Sequence, residues 1–200
     1  MTIAILDYGA GNIRSVQHAC SHLGYESFIS NNKDELLSAS HVIVPGQGAF
    51  SQAMTLLKDK SLDLVLRDII AHGTPFLGIC LGFQILFESS DEHGHHEGLG
   101  LLPGKVSKID DPLLNVPHMG WNTVENLHST MFNAIPEHSH FYFVHSFYIQ
   151  STPSSFVASN TTYGQSFVSA VVKDNVWGTQ FHPEKSSDAG LQLLRNFLNT

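Results

Sequence analysis

Two short segments carry the residue types of nucleophilic catalysis: GICLG at 78–82 and HPE at 182–184. In the first, Cys80 sits where the apolar strand PFLGIC (75–80) gives way to the helical pattern LGFQILFES, the arrangement of a nucleophile elbow with sulfur in place of a hydroxyl. Gly78 and Gly82 leave room for a sharp turn and for an unusual backbone conformation at Cys80. A helix starting beside Cys80 would aim free N–H groups at the sulfur and favour the thiolate. Taken alone, a cysteine is more often a small buried hydrophobe, and the paired glycines set this one apart.

A nucleophilic thiol needs a base. In an extended backbone His182 and Glu184, two positions apart around Pro183, point to the same side with Cα atoms roughly 6 to 7 Å apart. Glu184 can then accept the imidazole N–H, fix the tautomer and leave the other ring nitrogen to face a thiol. By itself HPE is a weak signal; beside the cysteine elbow it is a strong one. Donors for an oxyanion are expected from PGQG (45–48), which follows the strand HVIV (41–44): Gly46 and Gly48 let main-chain N–H groups approach a substrate closely, and Leu81 supplies the N–H after the nucleophile. A plain tight turn at 45–48 fits the composition equally well.

The elements that must position these groups follow a βαβ rhythm: TIAIL (2–6), a helical stretch 12–23, ESFIS (26–30), HVIV, helical patterns at 50–58 and 62–71, then PFLGIC. Parallel strands need long crossovers and helices supply them, so the expected fold is α/β, with a mostly parallel central sheet and helices on both faces. Beyond about residue 101 the strand-like pieces LLPGKVSKI, GWNTV, FYFVHSFY, SFVSAVV and VWGTQF indicate antiparallel extensions, and 187–198 reads as a terminal helix. One domain over 1–200 is the expectation for 200 residues that are 42% hydrophobic and 14% charged.

Composition also excludes. With 18 acidic against 10 basic residues the net charge is −8, which gives no basic face for nucleic acid. No run approaches the roughly 20 apolar residues of a membrane span, and the two cysteines fit a reducing, cytoplasmic setting. Cys20 is expected to be inert packing. His93, His95 and His96 with Glu97 match no zinc spacing and suggest a solvated loop, so no metal is expected. His138 and His140 are expected at the surface. DYGAGN (7–12) lacks the third glycine of a dinucleotide fingerprint.

Nearly end to end, the chain resembles the class I (triad) glutamine amidotransferases. The resemblance is carried by IAILDYGAGNIRSV (3–16), VIVPGQGAF (42–50), PFLGICLGFQILFE (75–88), GLGLLPGKV (98–106), PHMGWN (117–122), FYFVHSFY (141–148) and GTQFHPEKS (178–186). It implies Cys80 as nucleophile, His182 as base and then acid, and Glu184 as the orienting carboxylate. It also implies a glutamine pocket at Gly46, Gln84, His145, Ser146 and Phe147, and no cofactor. DYGAGN, PGQGAF and PHMGWN point to the branch serving histidine biosynthesis, whose members pass ammonia to a (β/α)8 cyclase. Asn12, Trp121, Asn122 and Tyr142 would lie toward that partner. Two positions depart from the family pattern: Gln47 stands where a small apolar residue is expected, and Phe147 where tyrosine is common. Amidotransferases of other pathways, a non-catalytic binding subunit and a cysteine esterase or peptidase are the alternatives; the intact Cys, His and Glu set argues against the second.

Overall fold

The computed structural model describes residues 1–200. In chain order the elements are β1 (Ile3–Leu6), α1 (Ile13–His22), β2 (Ser27–Ser30), α2 (Lys33–Ser38), β3 (His41–Gly46), α3 (Phe50–Asp59), α4 (Leu62–Ala71), β4 (Phe76–Cys80) and α5 (Leu81–Gln84). There follow β5 (Phe87–Ser90), β6 (His96–Glu97), β7 (Leu102–Lys108), β8 (His118–Thr123), β9 (His140–His145), β10 (Phe147–Ser151), β11 (Val157–Tyr163), β12 (Gln165–Lys173), β13 (Val176–Thr179) and α6 (Ser187–Leu198). No helix is long and apolar enough to cross a membrane.

An 11-stranded sheet runs in the order β2-β1-β3-β4-β13-β12-β10-β7-β5-β6, with β11 against β12. From β2 to β13 neighbouring strands are parallel; β12, β10 and β7 continue the sheet in antiparallel fashion. The strand period of two divides the apolar residues between two cores. Ala4, Leu6, Val42, Val44 and Phe76 face the core covered by α2, α3 and α4, whereas Ile3, Ile5, Ile43, Leu77 and Ile79 face the one covered by α1 and α6. Because both faces are covered, β1, β3 and β4 are buried along their whole length, which is why they read as unbroken apolar runs rather than alternating ones.

Two expectations need correction, and one strand was not anticipated. The helix after Cys80 is one turn long, Leu81–Gln84, and Phe87–Ser90 is a strand pairing in parallel with β7. Its apolar residues Phe83, Ile85, Leu86 and Phe87 are buried all round, so no polar face exposed the change of period. FYFVHSFY is two strands split at Ser146: β9 leaves the main sheet and pairs only with β8 in a two-stranded ribbon, while β10 stays in the sheet. Finally, β11 (VASNTTY) is a strand that its polar composition concealed; alternate residues Ser159 and Thr161 are buried and bonded to Ser169 Oγ and Thr123 O.

Candidate active site

Three parallel strands end side by side, and their register assembles the site. Gly46 at the end of β3 pairs with Cys80 at the end of β4, and Thr179 at the end of β13 pairs with Ile79. The next residues along β13 therefore emerge beside Cys80, although they lie about a hundred positions away in the chain. Ligand sites of open α/β sheets gather at this carboxyl edge.

Cys80 has φ 54° and ψ −108°, a conformation L residues avoid, so the elbow holds the sulfur out of the line of strand and helix. The surroundings explain how it persists. A Cβ on Gly82 would overlap the Val44 carbonyl, and one on Gly46 would come within 2.7 Å of both the Gly82 N and the Tyr8 hydroxyl. Gly11, also at positive φ, packs against Pro45 O and Gly46, so DYGAGN supports the PGQG turn from behind. Tyr8 is fully buried beneath that turn with no hydrogen-bond partner for its hydroxyl; burial and then the Cys80 charge hold its proton on firmly.

His182 Nδ1 donates to Glu184 Oε1 at 2.8 Å, and both side chains are almost wholly buried. The backbone differs from the extended form expected. Pro183–Lys185 make a turn of 3-10 helix with Pro183 first, a place its fixed φ and missing N–H suit. His182 is pinned to the ribbon by its N–H donating to Tyr142 O at 2.9 Å, and Ser186 Oγ donates to His182 O. His182 Nε2 makes no hydrogen bond and stays free toward the sulfur. Burial works against the imidazolium, but the Cys80 charge and hydrogen-bonding capacity, then the Glu184 hydrogen bond and carboxylate, outweigh it and push His182 up to about 10. The group is thus set to hold a proton against a thiolate.

A cavity of about 280 Å³ opens beside these groups. Gln47, Gly48, Cys80, Leu81, Gln84, His145, Ser146, Phe147 and His182 all border it, whereas Gly46 is buried just behind. Gln47 and Gly48 are exposed at its mouth, with Gly48 at φ +99°. His145 borders the cavity with both ring nitrogens occupied: Nδ1 donates to Phe147 O at 2.8 Å, and Nε2 faces His118 Nδ1 at 2.9 Å. Asn12 lies at the carboxyl end of β1 on the same edge of the sheet. Trp121, Asn122 and Tyr142 lie on the β8–β9 ribbon, where Trp121 pairs with Tyr142.

Two polar residues close to the sulfur or the cavity were not anticipated, Gln180 behind the lining and Glu92 in it. Gln180 is fully buried, and its Nε2 donates to the Cys80 sulfur at 3.7 Å. Its position two before His182, at the strand exit, puts it on the same side of the chain and was the available signal. Glu92 also borders the cavity and accepts from Phe50 N; it lies in the polar stretch 91–98, where nothing local distinguishes it. Outside the site, Cys20 is buried in α1 and burial pushes its thiol up to about 11, in keeping with packing; His93, His95, His138 and His140 are exposed.

The family model for class-I glutamine amidotransferases matches residues 4–200. The imidazole glycerol phosphate synthase subunit HisH of Desulfitobacterium hafniense is 47% identical over 98% of this chain and 92% of that protein. The corresponding subunits of Moorella thermoacetica and Bacillus cereus (strain B4264) are 46% and 45% identical, each over 98% of this chain and 93% of the relative. Among solved structures, a glutamine amidotransferase superposes with TM-score 0.77 at 21% identity, covering 98% of this chain and 97% of that one. PurLQS from Thermotoga maritima gives TM-score 0.77 at 20% identity over 99% and 97%. These two share the fold.

Proposed function

The chain belongs to the class I glutamine amidotransferases, and from that premise we propose that it is the glutaminase subunit of an imidazole glycerol phosphate synthase, working with a cyclase partner in histidine biosynthesis. The observation that carries the chemistry is the buried His182–Glu184 pair facing a cysteine held at positive φ.

In the proposed cycle the Cys80 thiolate attacks the side-chain amide carbon of glutamine. Negative charge moves to the amide oxygen, for which the Leu81 N–H and the main chain at Gln47 and Gly48 are the donors. His182 gives its proton to the departing nitrogen, the C–N bond breaks, and ammonia leaves a glutamyl thioester on Cys80. Neutral His182 then takes a proton from water, the hydroxide attacks the thioester, and glutamate departs as the thiolate–imidazolium pair is restored. Glu184 holds the ring through both halves and stabilises its charged state. Gln84, Ser146 and Phe147 shape the pocket, and the Glu92 carboxylate at its wall suits the substrate's α-ammonium group.

The partner is proposed to dock on the β8–β9 ribbon. Met119 and Trp121 are 63% and 52% exposed two positions apart, hence on one face, and Tyr142 beside Trp121 carries the Lys185 ammonium over its ring. Exposed aromatic and methionine side chains of this kind are what protein interfaces use. The ribbon lies against the active site, because Tyr142 O holds the His182 N–H, so docking there can also act on the triad. The test is glutamine hydrolysis by the chain alone, by the chain with the cyclase, and by the complex with cyclase ligand bound. Low basal turnover and strong acceleration in the loaded complex are expected; equal turnover in all three would refute the coupling, and activity in Cys80→Ala would refute the nucleophile.

A further inference from the structure

A continuous run of hydrogen bonds joins the ribbon to the sulfur. Asn122 Nδ2 donates to Thr162 O at 3.0 Å and reaches His118 Nε2 at 3.3 Å. His118 Nδ1 meets His145 Nε2 at 2.9 Å, and His145 Nδ1 donates to Phe147 O. The same carbonyl accepts from Gln84 Nε2 at 2.9 Å; Gln84 Nε2 also donates to Gln180 Oε1 at 2.9 Å, and Gln180 Nε2 points at Cys80 Sγ. The side chains of His118, His145, Gln84 and Gln180 are all buried.

The direction of each bond is fixed by its ends. Thr162 O and Phe147 O can only accept, and Asn122 Oδ1 is occupied by the Thr123 N–H, so Asn122 must present its NH₂ to His118. His118 is thereby the tautomer that donates from Nδ1, and His145 the one that accepts at Nε2 and donates from Nδ1. At the far end, Gln84 donates to Gln180 Oε1, which leaves the Gln180 NH₂, not its carbonyl, facing the sulfur. A reversed amide would set an oxygen lone pair against a thiolate. Both histidines must be neutral for this arrangement, and burial lowers His118 to about 4 and His145 to about 3. His118 is further clasped between rings, with Tyr163 stacked at 4.0 Å and Phe143 at 4.9 Å between centroids.

We propose that His118, His145, Gln84 and Gln180 form a positioning relay through the Phe147 carbonyl: His118 holds His145 in place to donate to that carbonyl, Gln84 donates to the same oxygen, and Gln84 so placed turns the Gln180 NH₂ toward the Cys80 sulfur for attack. The relay rests on the glutaminase assignment, and its outer end lies on the strand assigned to the partner. His118→Phe keeps an aromatic ring between Tyr163 and Phe143 but removes the donor to His145. With one such hydrogen bond lost, kcat for glutamine hydrolysis is expected to fall about tenfold while KM for glutamine changes less than about twofold, in the isolated chain and in the cyclase complex alike. Alkylation of Cys80 by iodoacetamide, which needs no glutamine, should slow in parallel. Asn122→Ala, on a partly exposed strand and safe for folding, should act in the same direction by about two- to threefold. Unchanged kcat and alkylation in both variants, or a rise in KM alone, would overturn the relay. Slowed alkylation in both variants, with a parent chain that alkylates readily but hydrolyses no glutamine, would instead sink the glutaminase assignment and leave the relay standing.

Discussion

His182 and His145 border the same cavity and are equally hidden from water, 4% and 6% exposed, yet they are driven in opposite directions: His182 up to about 10, His145 down to about 3. Burial disfavours the charged ring in both. The difference lies in what faces them. His182 has a carboxylate on one nitrogen and the Cys80 sulfur beside the other, whereas His145 has a backbone carbonyl and a second imidazole. One wall of the cavity is built for charge and proton transfer, the other for neutral hydrogen bonding, and the partner rather than the depth of burial decides which.

The sharpest way to break this comparison is to remove a ring from each wall. His182→Asn is expected to lower kcat by about 10⁴-fold or more, and His145→Asn by about tenfold; similar losses in steady-state glutaminase assays would mean the walls do not differ in role. Next comes Glu184→Gln, which leaves a side chain of the same shape but no charge to orient and stabilise the imidazolium. A loss of about 10³- to 10⁴-fold in kcat is expected, measured under saturating glutamine.

The two walls also predict opposite limbs of the stability curve. His182 binds its proton more tightly folded than unfolded, so its contribution is complete below about pH 6.5 and is lost as pH rises toward about 10. His118 and His145 bind theirs less tightly folded than unfolded, so their contribution is complete above about 6.5 and is lost as pH falls toward about 4 and about 3. Denaturant titrations across this range should show His182→Asn flattening the alkaline limb and His118→Phe flattening the acid one. At the outer face of the ribbon the effect should fall on the partner and not on the chemistry, and be the smallest: Trp121→Ala should weaken cyclase binding by about three- to fivefold, read by titration calorimetry.

How much of this was legible beforehand differs along the chain. From β1 to β4 each apolar run and each helical pattern stands near its expected place, because both sheet faces are covered and turns separate the elements. α4 and α6 coincide with the expected 62–71 and 187–198. The second half was harder. Residues 81–87 are buried throughout, helical or extended, so no exposed face marks the change, and the β8–β9 ribbon pairs residues 17 to 27 positions apart, which no local pattern records.

The candidate groups were legible from neighbouring residues alone: a cysteine between two glycines has room to turn sharply, and a histidine, proline and glutamate in succession can bring ring and carboxylate together. The tertiary structure alone decided which groups surround them. That Gly46 lies opposite Cys80, that Gln180 reaches the sulfur, and that His145 is paired with His118 and stays neutral all follow from strand register and ribbon pairing. Charge on a buried ring depends on what stands within a few ångströms in space, and that distance is set by the fold.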